Sequence, residues 1–242
     1  MTNTKEIAAL VNSYAPVFTE LADAIWDTPQ LRWAEFDAVE RHTALAEKNG
    51  FQITRTVTGI PTAFTAEYGE DGPVIAFLGE YDGLAGLSQR SGVTTKTPDP
   101  ANTSGNGHGC GHHLLGAGSL LAAVATAAYL KDHKLPGRVR YYGCPAEEAA
   151  AGKSFMVKGG AFDDVDAAVT WHPWSQMVTR QMLVNAYTQV YFTFRGVASH
   201  AGATPHQDRS ALDALELMNV VSQADSRETG HCARSIRRVR CL

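Results

Sequence analysis

The longest apolar run, LLGAGSLLAAVATAAYL at residues 114–130, constrains the fold most. It is short for a membrane span, which takes about 20 apolar residues. It is rich in Ala and Gly, and His112 and His113 precede it. These features predict a helix over 112–131 that is buried inside a globular protein. Such a helix needs apolar partners, and 44% of the 242 residues are hydrophobic, enough for a sizeable core.

The flanking segments have the right patterns to supply those partners. Ile7, Leu10, Val11, Tyr14, Phe18, Leu21 and Ile25 recur at helical spacing within residues 4–26. A second helix is expected from Glu35 to Lys48, stopping at Gly50. Strand-like runs cover 51–57, 62–68, 74–80, 138–144 and 166–172, with a polar loop at 88–107 and a short helix near 152–160. This alternation predicts an α/β fold, a mostly parallel sheet with helices on both faces. The run AYTQVYFTFRG (186–196) instead alternates apolar and polar, as a strand with one wet face does. An amphipathic helix over 209–220 follows, so a second, α+β unit is expected to start near residue 185.

Several polar clusters directly follow apolar strands. GEYDG follows VIAFL, CPAEE (144–148) follows VRYYG, and HPW (172–174) follows AAVTW. Ligands of open α/β sheets bind beyond the carboxyl ends of the strands. Asp82, Glu147, Glu148 and His172 are therefore expected at one sheet edge. The glycine-rich stretch GNGHGCGHH (105–113) opens the apolar helix and can face the same edge. Its spacing is not the G-x-G-x-x-G of a dinucleotide loop.

Cys110 and His112, with nearby carboxylates, make the thiolate, imidazole and carboxylate set of zinc and its neighbours. A buried cysteine is more often a small core hydrophobe, but that reading leaves His108, His112 and His113 unexplained. Glu147 and Glu148 are adjacent on an extended loop, so their side chains diverge. One can hold a metal while the other takes a proton from water. A pair of solvated surface acids is an equal alternative on the residues alone. His172 and His200 are weak candidates by themselves.

Taken together, GEYDGLAGLSQ, NGHGCGHHLLGAG, YGCPAEEAAAGKSFMVKGGAFDDVDAAVTWHPW and SHAGATPHQDRSALDALELM resemble the dinuclear metallo-amidohydrolases. These are the aminoacylase, hippurate hydrolase and auxin-conjugate hydrolase relatives of the carboxypeptidases, and the likeness is greatest to their aminobenzoyl-glutamate-cleaving branch. The resemblance covers residues 5–221. It implies Cys110, His112, Glu148 and His172 as metal ligands, Glu147 as the general base, and Asp82 as the acid that orients a ligand. It implies His200 as a lid-domain histidine that reaches a partner subunit's site to stabilise the oxyanion. Two divalent ions, manganese or zinc, would serve an intact site. The substrate would be an N-acyl amino acid such as p-aminobenzoyl-glutamate, and the intact protein a homodimer or a hetero-oligomer with a related subunit. His113 departs from the Asp or Asn usual after Cys-Gly-His in this family.

The resemblance also sets expectations for the chain as a whole. Residues 1–184 would be the N-terminal part of a zinc-peptidase-like catalytic domain, and 185–221 the start of a lid or dimerisation domain. Residues 222–242 lose helical periodicity and hold five arginines, and the expectation is a frameshifted, non-native tail. Members of the family are longer, with a further metal-binding histidine after the lid. Little or no hydrolysis is therefore expected of the 242-residue chain, and a non-catalytic metal-binding remnant or a dipeptidase of other specificity are the alternatives. A genuine basic tail is the alternative reading of 222–242, but the net charge is −4 and nothing upstream prepares for nucleic acid or a membrane, so neither partner is expected. The start MTNTKEIAAL has no leader pattern. Cysteines 110, 144, 232 and 241 form no Cys-x-x-Cys pair, so a reducing, cytoplasmic setting is expected.

Overall fold

The computed structural model describes residues 3–179, 189–229 and 235–241. The chain divides into two compact units, Met1–Gln176 and Met177–Leu242. The boundary expected at 184/185 lies outside the described residues.

The first unit has the α/β architecture expected from the alternating pattern. Its helices are α1 (Thr4–Asp27), α2 (Phe36–Lys48), α3 (His112–Asp132) and α4 (Gly152–Lys158). Its strands are β1 (Gln52–Arg55), β2 (Phe64–Tyr68), β3 (Val74–Gly79), β4 (Arg138–Gly143) and β5 (Ala167–Val169), in the order β1-β2-β4-β3-β5. The sheet is mixed. β3 pairs in parallel with β4 and β5, whereas β1 with β2 and β2 with β4 are antiparallel. The short connection between β1 and β2 explains their antiparallel pairing, because a parallel pair needs a long crossover.

Strand alternation supplies two cores. Phe64, Ala66, Val139 and Tyr141 point to the face covered by α1, α2 and α3, where Phe18, Ile25, Val39, Leu120 and Val124 pack. Ala76, Tyr142 and Cys144 point the other way, to Ile60, Ala63 and Met156 of α4. The apolar run 114–130 lies within α3, which packs on α1, β3 and β4. Burial on several sides accounts for its lack of a polar face.

Parallel pairing fixes which residues meet. Gly79 and Gly143 are in register at the ends of β3 and β4, and the Cys144 N–H donates to Gly79 O at 2.8 Å. Phe77 pairs with Val169 of β5. Residues 80–82, 144–148 and 170–172 therefore leave the sheet at the same edge.

The second unit contains β6 (Gln189–Phe194), α5 (Ala211–Thr229) and β7 (Ser235–Cys241), with β6 and β7 parallel. α5 runs past the helix end expected at 220, and β7 falls within the stretch expected to be a frameshifted, non-native tail.

Candidate metal centre

Gly111 caps the N-terminus of α3 at φ +79°, and a Cβ there would come within 2.9 Å of Pro173. Only glycine meets both conditions. The close approach sets Cys110 and His112 against the chain beyond β5. The Cys110 Sγ lies 3.4 Å from His172 Nε2. His172 Nδ1 donates to Pro173 O at 3.0 Å, which leaves the Nε2 lone pair facing the thiol. One donor atom each from Cys110, His112 and His172 lies within 4.8 Å of the others. The Glu148 carboxylate lies near the Cys110 thiol.

Asp82 ties this arrangement together. Its Oδ1 accepts from His112 Nδ1 at 2.8 Å, and its Oδ2 accepts the Glu148 N–H at 2.8 Å. The His112 Nδ1 proton is thereby fixed, and Nε2 is directed into the site. Nε2 stands 3.0 Å from Glu80 Oε2, yet neither atom has a partner in hydrogen-bond alignment, and both are buried. Two buried, imperfectly matched donor atoms facing one point are what a cation would satisfy. Glu80, His112 and Glu147 likewise bring donor atoms within 4.8 Å of one another.

The electrostatics follow from this packing. Burial disfavours a charged His112, but the hydrogen bond to Asp82 and the charges of Asp82 and Glu80 outweigh it and push the imidazole up to about 11. Burial works against a charged Glu80 as well, but His112 and the Lys153 ammonium paired with it hold the carboxyl down to about 2. Burial, then the Glu80 charge, raises the Glu147 carboxyl, and burial raises the Cys110 thiol.

The other histidines separate from this group. His108 Nε2 meets Ile25 O at 3.0 Å, and His113 packs on Trp26 with ring centroids 4.9 Å apart. Burial pushes both imidazoles down to about 4. Their crowding in the sequence reflects contacts with α1. His200 belongs to the second unit, is exposed, and accepts the Gly202 and Ala203 N–H groups at Nδ1, each at 3.1 Å. Glu80 and Lys153 were not legible as site residues. The one sequence signal for Glu80 is its place at a strand end two residues before Asp82.

Residues 76–236 match peptidase family M20/M25/M40. The chain belongs to this family. It is 49% identical over 203 residues to a subunit of the p-aminobenzoyl-glutamate hydrolase of Escherichia coli K12, covering 83% of this chain and 41% of that protein. It is 32% identical over 225 residues to the Xaa-Arg dipeptidase of Mus musculus, covering 88% and 48%. The chain thus spans less than half the length of these two M20 relatives. Among solved structures it is similar to the Bacillus subtilis YXEP protein, a dinuclear metal-binding peptidase of the M20 family. That match has a TM-score of 0.51 and 25% identity, over 65% of this chain and 42% of that one. An aminobenzoyl-glutamate utilization protein from Klebsiella pneumoniae shares the fold, with a TM-score of 0.53 and 18% identity over 86% and 57%.

Proposed function

We propose that this M20 chain carries the metal-binding half-site of an amidohydrolase that cleaves N-acyl amino acids, with p-aminobenzoyl-glutamate as the favoured substrate. The observation that carries the reading is the Asp82 carboxylate. It orients His112 through one oxygen and the Glu148 backbone through the other, and leaves buried donor atoms aimed at one point. Cys110, His112 and His172 bring thiolate and imidazole donors together, and with Glu148 proposed as a further ligand that set suits zinc; two divalent ions, manganese or zinc, are proposed for the site. A divalent ion bound there supplies Lewis acidity, polarising an amide carbonyl and acidifying water.

The chain's own residues do the rest. Glu147 takes the proton from the attacking water at a carboxylate oxygen and delivers it to the leaving amine nitrogen. Its raised affinity for protons, caused by burial, suits that exchange. Lys153 balances the charge of Glu80, whose other oxygen lies beside His112. His200 is proposed as the oxyanion donor of an assembled subunit pair. With Nδ1 occupied by backbone N–H groups, its Nε2 carries the proton that such a donor needs. A homo- or hetero-oligomer is proposed because two similar Escherichia coli proteins are both subunits of p-aminobenzoyl-glutamate hydrolase. A cytoplasmic setting is proposed because Cys110 binds metal only while reduced.

The test is hydrolysis of p-aminobenzoyl-glutamate, Xaa-Arg dipeptides and N-acetyl amino acids, with added zinc or manganese, by the intact protein, since little hydrolysis is expected of the 242-residue chain by itself. Glu147→Gln is expected to cut turnover about 100-fold or more while metal content stays unchanged. Near-normal turnover in that variant would remove Glu147 as the base. Stoichiometric metal binding with no hydrolysis of any of these substrates would leave a metal-binding protein without catalysis.

A further inference from the structure

Glu35 is a fully buried carboxylate that the chemistry above does not use. Its position is the N-cap of α2, which a short polar side chain ordinarily fills, and its own side chain makes no cap hydrogen bond. Gln30 caps the helix instead, its Oε1 accepting the Asp37 and Ala38 N–H groups at 2.8 and 3.2 Å. Glu35 is turned inward, and its Oε1 accepts the Ala146 N–H at 2.8 Å, across a sequence separation of 111 residues. The Thr62 hydroxyl lies beside the same carboxylate.

The recipient loop is strained. Ala146, Ala149 and Ala151 have φ of 54°, 60° and 52°, the left-handed region that a residue with a side chain disfavours. Such a conformation persists only where surrounding contacts over-determine it. Those contacts are the Glu35 carboxylate on Ala146, the Asp82 carboxylate on Glu148, and the Gly152 N–H on Ala146 O at 3.0 Å. A Cβ at Gly152 would sit 2.0 Å from Pro145 O, so the backbone on both sides of the loop is drawn tight. The same N-terminal segment touches the chain again just beyond the loop. Trp33 meets Phe155 of α4 edge-on, with centroids 5.8 Å apart.

We propose that Glu35 is a positioning residue for the metal centre. By holding the Ala146 N–H it fixes the strained loop that presents Glu147 and Glu148. The proposal rests on the reading of Glu147 and Glu148 given above. It assigns to the segment before α2 a role in building a site to which that segment contributes no ligand.

The test compares Glu35→Gln, Glu35→Asp and the native 242-residue chain. Zinc affinity is measured by competition with a chromophoric chelator, and amide exchange at Ala146 and Glu148 is followed in the metal-free protein. Gln keeps an acceptor for Ala146 and gains a donor for Thr62, so it is expected to bind zinc within a few-fold of the native chain. Asp withdraws the acceptor by one methylene. It is expected to weaken zinc binding about 10–100-fold, the usual effect of losing a group that orients a ligand, and to lose exchange protection at Ala146. In the cobalt-loaded Asp variant the Cys110 thiolate absorption band should remain, because Cys110 sits on a different element. A lowered unfolding midpoint with unchanged zinc affinity in the Asp variant, or equal damage from Gln and Asp, would overturn the proposal. Failure of the native chain to bind zinc would instead contradict the proposed function. In that case the Ala146 exchange comparison still decides the clamp, with protection lost in Asp and kept in Gln supporting it and equal protection in both overturning it.

Discussion

At the scale of single residues, the site depends on carboxylates that touch no substrate. Asp82 accepts two N–H groups, one per oxygen. Asp82→Asn replaces one oxygen by an amide donor that must face either His112 Nδ1–H or the Glu148 N–H. The expected result is zinc binding weakened about 10–100-fold, measured by chelator competition, with little change in far-ultraviolet dichroism. The grouping of Cys110, His112 and His172 was legible because residue types that bind metal stood at a strand end and at a helix start. Glu80 was not, because an acid closing an apolar run looks like an ordinary strand terminus. Glu35 was not, because its place before α2 suggests a cap, and only the three-dimensional reach to Ala146 reveals its use. The histidine crowd overstated the site, since two of its members pack on α1.

At the scale of elements, α3 lies so close to the sheet and to α2 that Gly116 has no room for a side chain. A Cβ there would meet Glu80 O at 2.6 Å and His42 Nε2 at 2.8 Å. Gly116→Ala is expected to destabilise the first unit by about 1–3 kcal/mol, as overpacking does, read from its denaturant midpoint. His42 is completely buried, which pushes its imidazole down to about 4 despite the hydrogen bond that its Nδ1 donates to Ala38 O at 2.7 Å. The fold therefore holds His42 neutral, while the unfolded chain takes up its proton below an ordinary pKa near 6.5. The His42 contribution to stability is present in full above pH 6.5 and is lost as pH falls toward 4. Denaturation of native and His42→Leu chains across that window should show the variant losing less stability on acidification, and equal slopes would contradict the assignment. Periodicity gave the positions of α1, α2 and α3 to within about a turn, because each buries one face or, for α3, most of its surface. It did not give the antiparallel side of the sheet, where apolar runs alone carry no direction. It also ended α5 early, since the residues from 222 onward lack an apolar stripe.

At the scale of the whole molecule, the chain is an M20 family member that spans less than half the length of the two curated relatives compared above. Metal binding is expected to couple to folding of the first unit, because the donors come from segments far apart in sequence. Zinc at 100 times its dissociation constant should add about 2.7 kcal/mol of stability, seen as a raised unfolding midpoint that a chelator reverses. Affinity should rise with pH, because His112 and Cys110 must each give up a proton to bind. The most direct test of the central claim is a cobalt titration of the native chain followed by absorption, with Cys110→Ser alongside. A saturable thiolate-to-cobalt band in the native chain that is absent from the variant is the predicted result. Native and variant chains that give the same spectrum, or a native chain that takes up no cobalt, would contradict it.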